Sequence, residues 1–250
     1  MPTQVPWLIF LLPFLSFLCI SLIVRPFFSK QHKLGGYITI GAVGISCALS
    51  LWVMGAVMAA PEHMLLIDDI SWVVIGNLNI HIGVLVDSLT AVMCVVVTFV
   101  SLMVQIYSQG YMQGDPGYLR YYSFMSLFTA CMLGLVLANN ILFMFVFWEG
   151  VGLGSYLLIG FWFHKASAAN AAKKAFIVTR LGDFGFLAAI LVLYAQTGTF
   201  DTQAIYQIVA AGTLAGSTIT WVAIGIFSGA AGKSAQFPLH VWLPDAMEGP

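Results

Sequence analysis

Apolar runs of helical length set the first limit on what this chain can fold into. About 20 apolar residues carry a helix across a bilayer. The sequence offers such a run seven times, over roughly 6–28, 35–60, 84–107, 119–138, 141–163, 168–196 and 217–247. Only 8% of its 250 residues are charged, whereas a soluble domain carries about a quarter. The expected fold is therefore an all-α polytopic membrane protein.

The cations give the runs a direction. Arg25, Lys30 and Lys33 lie between runs one and two, Arg120 precedes run four, and Lys165, Lys173 and Lys174 lie between runs five and six. Alternating spans place these seven of the nine Lys and Arg residues on one side. The opposite loops hold only Glu62, Asp68, Asp69 and Asp201. Because Lys and Arg mark the cytoplasmic face, the N-terminus is expected outside. Runs four and five are separated by little more than Asn139–Asn140, which requires an antiparallel helical hairpin. The segment from Met64 to Ile82 is not a span. Its "LNIHI" alternates and Gly76-Asn77 suits a tight turn, so a short external amphipathic β-hairpin is expected.

The composition also excludes. A net charge of −1 leaves no basic surface for nucleic acid. Cys19, Cys47, Cys94 and Cys131 stand singly within apolar segments, too scattered for a metal site or disulfide framework, and read as packing residues. His32, His63, His81 and His164 fall in loops, on a strand or at a helix end, and none reads as a ligand. The sequence holds no Walker loop, dinucleotide-binding glycine fingerprint or haem-attachment motif. The first run lacks a basic leader and a small-residue cleavage site, and reads as a retained helix. The closing "WLPDAMEGP" has no polar tail, so the 250 residues are expected to be the front part of a longer protein.

The two remaining cations lie inside spans, and so do the acids Glu149 and Asp183. In "FMFVFWEGVGLGSYLLIGFWF" the single charge is Glu149, about nine residues into run five. A carboxylate there costs about 2.5–3.5 kcal/mol to insert. It is either a proton-exchanging group or a protonated, hydrogen-bonded core acid. Gly150 and Gly154, with Gly152 and Ser155 nearby, give a small-residue face on which another helix can pack. In "KKAFIVTRLGDFGFLAAILVLYA", Arg180 and Asp183 share a helical face and can pair directly, as a relay or as a structural pair. Lys174 lies at the cytoplasmic end of the same run, where it can snorkel. In the seventh run, "STITWVAIGIFSGAAGKSAQFPLHVWLPDAMEGP", Gly229 and Gly232 precede Lys233, and Pro238 and Pro244 follow. A helix break near Gln236–Pro238 would leave Lys233 at the C-terminal end of a half-helix, whose partial negative charge favours a cation. Lys233 equally suits the end of a complete span. His240 and Asp245 extend a polar path past the break or meet the headgroups. Together these groups have the composition of an ion-conducting path.

Three stretches, "WEGVGLGSYLLIGFW", "KAFIVTRLGD" and "GKSAQFPLHVWLPDAMEGP", resemble the L-subunit (chain 5) family of NADH-quinone oxidoreductase, respiratory complex I. The resemblance covers runs three to seven well and the first two weakly. It implies an antiporter-like helical bundle at the distal end of the membrane arm, with a broken seventh helix. Residues 1–60 would be two N-terminal transmembrane helices, 61–83 the external hairpin, and 84–118 the third helix with its cytoplasmic loop. Residues 119–250 would be an incomplete first antiporter-like repeat, lacking its closing helix and the second, inverted repeat. The family's proton-translocating glutamate and lysine fall on Glu149 and Lys233, and its supporting charges on Arg180, Asp183 and Lys174. Gly154 and His240 receive no role.

The resemblance implies a subunit of a proton-translocating NADH:quinone oxidoreductase in the bacterial plasma membrane. This chain would carry no redox centre. FMN, iron–sulfur clusters, NADH and quinone would be held by other subunits, and the neighbours would be other membrane-arm subunits, above all the adjacent antiporter-like one. In the relay this implies, an ionised Glu149 holds Lys233 protonated, and separating the two releases the proton. Two other readings stand beside it. One is the large subunit of a multisubunit cation/proton antiporter or of a related hydrogenase or ferredoxin-linked complex. The other is a non-transporting membrane scaffold.

Overall fold

The computed structural model describes residues 2–28, 31–65, 67, 69–76 and 78–250. The expectations at Lys30, Asp68 and Asn77 lie outside the described residues. Among those described, six helices are long and apolar enough to cross a membrane: α1 (Val5–Phe27), α2 (Lys33–Ala59), α3 (Ser88–Tyr111), α4 (Tyr118–Leu137), α5 (Ile141–Ile159) and α6 (Ala166–Thr197). They match the first six expected runs to within a few residues. A short helix α7 (Thr202–Ala210) follows, and then α8 (Gly216–Lys233).

The seventh run is broken, as expected, just past Lys233. Only Gly216–Lys233 is α-helical, and 3₁₀ turns at Leu239–Trp242 and Pro244–Glu248 replace the rest. Its 18 residues are diluted by Gly, Ser and Thr and end on a lysine. The prolines beyond cannot donate to a continuing helix. The sequence reading also assigns no element to α7, which begins where the Asp201 carboxylate accepts the Ala204 N–H at 2.6 Å.

Two compact units divide the chain, Met1–Asp68 with Val84–Leu137, and Asp69–Gly83 with Ala138–Pro250. The fourth helix thus belongs to the first unit. In that unit, α1 carries Pro13 in its interior. Proline has no N–H for the carbonyl four residues earlier. That carbonyl belongs to Ile9, and the Ser46 hydroxyl of α2 donates to it at 3.1 Å. Ser126 of α4 donates to the Pro13 carbonyl at 2.9 Å, and Ser16 to Thr39 at 3.2 Å. Helices in lipid associate through such hydrogen bonds and through small residues. A Cβ on Gly35 would lie 2.7 Å from Leu119 Cδ2, and one on Gly36 would lie 2.6 Å from the Tyr118 hydroxyl. Strands β1 (Met64–Leu65) and β4 (Val86–Asp87) pair antiparallel, and Asp87 then caps α3 by accepting from Thr90 N–H at 2.8 Å.

The second unit opens with the expected hairpin. Strands β2 (Ile70–Ile75) and β3 (Leu78–Ile82) pair antiparallel, and Gly76 adopts φ +57° at the turn. Such a left-handed conformation favours glycine. Trp72 meets the Phe143 ring edge-on at 5.5 Å, and Ile80 is buried among Ile141, Phe186 and Ile190. Behind it, α6 and α8 touch backbone to backbone. A Cβ on Gly182 would lie 2.6 Å from the Ser228 carbonyl, and one on Gly225 would lie 2.7 Å from that of Gly185.

Candidate functional site

Three elements of the second unit deliver the four intramembrane charges to one place. Helix α5 carries Glu149 beside Trp148, α6 carries Arg180 and Asp183 one turn apart, and α8 ends on Lys233. The glycine contacts between α6 and α8 bring the end of α8 against this part of α6, with a Gly232 Cβ falling 3.4 Å from Gly182 Cα.

The pairing differs from the one that spacing allows. Arg180 and Asp183 do not neutralise each other; each turns to another helix. Arg180 forms an ion pair with Glu149, and the Lys233 ammonium lies 3.4 Å from the Asp183 carboxylate. Asp183 is 1% exposed and also accepts the Trp148 Nε1–H at 2.7 Å. Residues three apart on a helix point outward along one face, and helices packed beside that face offer shorter routes to an opposite charge. Among the described residues Glu149 and Lys233 form no ion pair with each other; the Trp148 next to Glu149 and Lys233 itself both contact Asp183. The Arg180 guanidinium also lies over the Phe176 ring, 4.6 Å from its centre.

Lys233 is largely covered, at 13% side-chain exposure, and lies against Asp183 rather than free at an ordinary helix end. Its ammonium occupies the space that a side chain on Gly152 would fill. Glycine at 152 therefore makes room for the cation, and helix backbones meet closely between α6 and α8. Lys233 Nζ and Asp183 Oδ2 make no hydrogen bond to another protein group. The ammonium has three protons to give, and Asp183 is the acid it pairs with.

The broken end of α8 is closed from within the chain. The Trp242 indole donates to the Gly232 carbonyl at 3.0 Å, and Gln236 N–H donates to that of Ala231 at 2.9 Å. Carbonyls freed inside a membrane need partners of this kind. Lys174 is not brought to the buried cluster. It pairs with Asp245 at 2.7 Å, both nearly half exposed, and Ser167 donates to Glu248 at 2.9 Å. His240 is exposed and stacks on Phe237. Spacing alone singles out every charged member of the cluster. Trp148 escapes such a reading, because an indole in an apolar run shows no polar pattern.

Among the described residues no group of three or more His, Cys, Asp or Glu side chains is placed to hold a metal ion. The arrangement is two acids and two cations, alternately paired across three helices. Such a chain can shift a proton or exchange partners without leaving net charge in the membrane.

Comparison with known proteins places this region. Residues 138–250 match the family model described as NADH:quinone oxidoreductase/Mrp antiporter, TM. Residues 72–122 match the model of NADH-ubiquinone oxidoreductase (complex I), chain 5 N-terminus. The chain is 44% identical over 255 residues to NAD(P)H-quinone oxidoreductase chain 5 of Synechocystis, covering 99% of this chain and 37% of that protein. It is also 44% identical over 252 residues to the chloroplastic subunit 5 of Marchantia polymorpha, covering 98% and 36%. Among solved structures, the Mrp complex of Dietzia superposes with a TM-score of 0.81 at 26% identity, covering 98% of this chain and 25% of that one. An archaeal membrane-bound sulfane sulfur reductase shares the fold, with a TM-score of 0.80 at 22% identity over 97% of this chain and 47% of that one. The chain spans less than two fifths of the length of these curated relatives.

Proposed function

The chain belongs to the chain 5 family of the NAD(P)H-quinone oxidoreductases, and from that premise we propose that it moves protons in the membrane arm of such an enzyme. The observation that carries this reading is the intramembrane set Glu149, Arg180, Asp183 and Lys233, joined across α5, α6 and α8 within the family-matched region, with Asp183 fully buried and Lys233 largely so. Ionisable groups inside a membrane mark proton and ion paths. Here Lys233 is the proton-exchanging cation, Asp183 its counter-ion, and Glu149 with Arg180 the pair that biases it. When Arg180 leaves Glu149, the freed carboxylate can draw on the network around Asp183 and change the hold on Lys233. Lys174 with Asp245 forms a supporting pair at the exposed end of α6.

Other subunits would supply the electron chemistry through NADH, FMN, iron–sulfur clusters and quinone, and the adjacent antiporter-like subunit would be the nearest partner. The family resemblance implies a bacterial plasma membrane, and the Lys and Arg bias favours an N-terminus outside it. The test is proton pumping by assembled enzyme carrying Glu149→Gln or Lys233→Ala. Each is expected to lose most pumping per electron. Full pumping by both at normal electron transfer would overturn the relay.

A second reading, the large subunit of a cation/proton antiporter, draws support from the superposition on the Mrp complex. Transport by the intact complex that depends on sodium would favour it.

A further inference from the structure

We propose that the first unit binds the headgroup of an anionic glycerophospholipid in a cavity formed by the start of α2, the end of α3 and the start of α4. The cavity measures about 250 Å³ and is lined by His32, Lys33, Tyr37, Gln109, Gln113 and Tyr118. None of these is acidic. An ammonium, an imidazole, two amides and two phenols give hydrogen-bond donors from every side. That set fits a phosphate oxygen cluster rather than a cation or an apolar ligand. His32 is held edge-on to the Tyr118 ring at 5.6 Å, which fixes one wall.

Position chooses the source of the phosphate. All three helices cross the membrane, and the cavity lies at their ends, at headgroup depth. From it an exposed apolar stripe runs along α3. Gly110 also lines the cavity, Tyr107 and Ile106 precede it by three and four residues, and Met103 lies one turn further back. Residues so spaced share a helix face, and Met103, Ile106 and Tyr107 are all exposed. A headgroup in the cavity would lay an acyl chain along that stripe, which a free phosphate has no use for. The same end of the unit carries Arg25 and Arg120, and anionic leaflets attract basic residues at about 1 kcal/mol each.

Gly110 supplies a clean test. A Cβ placed there meets nothing within 4 Å, so Gly110→Leu fills the cavity without a backbone clash. The assembled membrane complex is placed in phosphatidylcholine vesicles containing a phosphatidylglycerol with a photoreactive headgroup. Illumination is expected to label the segments 31–37 and 109–118. Lys33→Gln should weaken labelling about fivefold, the factor for about 1 kcal/mol, and Gly110→Leu should abolish it. Equal labelling by photoreactive phosphatidylcholine, or unchanged labelling in both variants, would overturn the proposal. Loss of labelling on adding inorganic phosphate at cellular concentration would assign the cavity to the free anion and overturn the lipid assignment.

Discussion

At the scale of single residues, the indole of Trp148 and the missing side chain of Gly152 do as much as the charges themselves. Asp183 is almost fully buried and takes a hydrogen bond from Trp148. A hydrogen bond to a charged group is worth about 1.5–3 kcal/mol. Trp148→Phe keeps the ring and removes that donor, so the complex should lose heat stability by an amount in this range, with pumping per electron reduced. Thermal inactivation and proton uptake together check it. Gly152→Ala acts on the other partner. The new methyl occupies the position of the Lys233 ammonium, whose flexible chain can shift aside. Stability should change by less than about 1 kcal/mol, while pumping falls severalfold because the cation is displaced from Asp183. Unchanged pumping in this variant would show that the position of Lys233 is not critical.

At the scale of elements, the closest fit lies between α6 and α8. A Cβ at Gly182 or Gly225 would press on a backbone carbonyl at 2.6–2.7 Å, and backbone cannot give way as a side-chain tip can. Gly182→Leu is expected to push α8 off α6 and prevent accumulation of the assembled complex, which native gel electrophoresis would reveal. Gly110→Leu, whose side chain enters open space, is the matched control and should assemble normally. The helix positions were legible in the sequence, since each apolar run had to satisfy its own backbone. Helix α7 was not, because its nine residues fall below any span length and its start rests on one capping aspartate. The end of α8 was half legible. Pro238 and Pro244 announced a break, but its closure by Trp242 requires a residue ten positions on to fold back.

At the scale of the whole molecule, orientation is the property that most directly ties the chain to its proposed role. Helix α6, at 32 residues, is about 48 Å long, more than the roughly 30 Å of a hydrocarbon core. Its two ends must therefore emerge on opposite sides. In sealed vesicles of known sidedness, Lys165→Cys should react with an impermeant thiol reagent from the cytoplasmic face and Thr213→Cys from the outer face. The reverse pattern would invert the topology derived from the basic residues.

The sequence by itself determined the class of protein, six apolar crossings and a broken seventh helix, the hairpin and the identity of the four intramembrane charges. These follow from local physics, in which a run's length and composition decide whether it crosses lipid and any charge within it stands out. Only the tertiary structure decided which acid meets which cation. Arg180 and Asp183 could pair within their own helix, yet they pair with Glu149 and Lys233 instead. That choice depends on how each helix is rotated and how closely it packs. Between α6 and α8, glycines at 182, 185, 225 and 232 allow the close packing through contacts between segments about 40 residues apart, which no local pattern encodes.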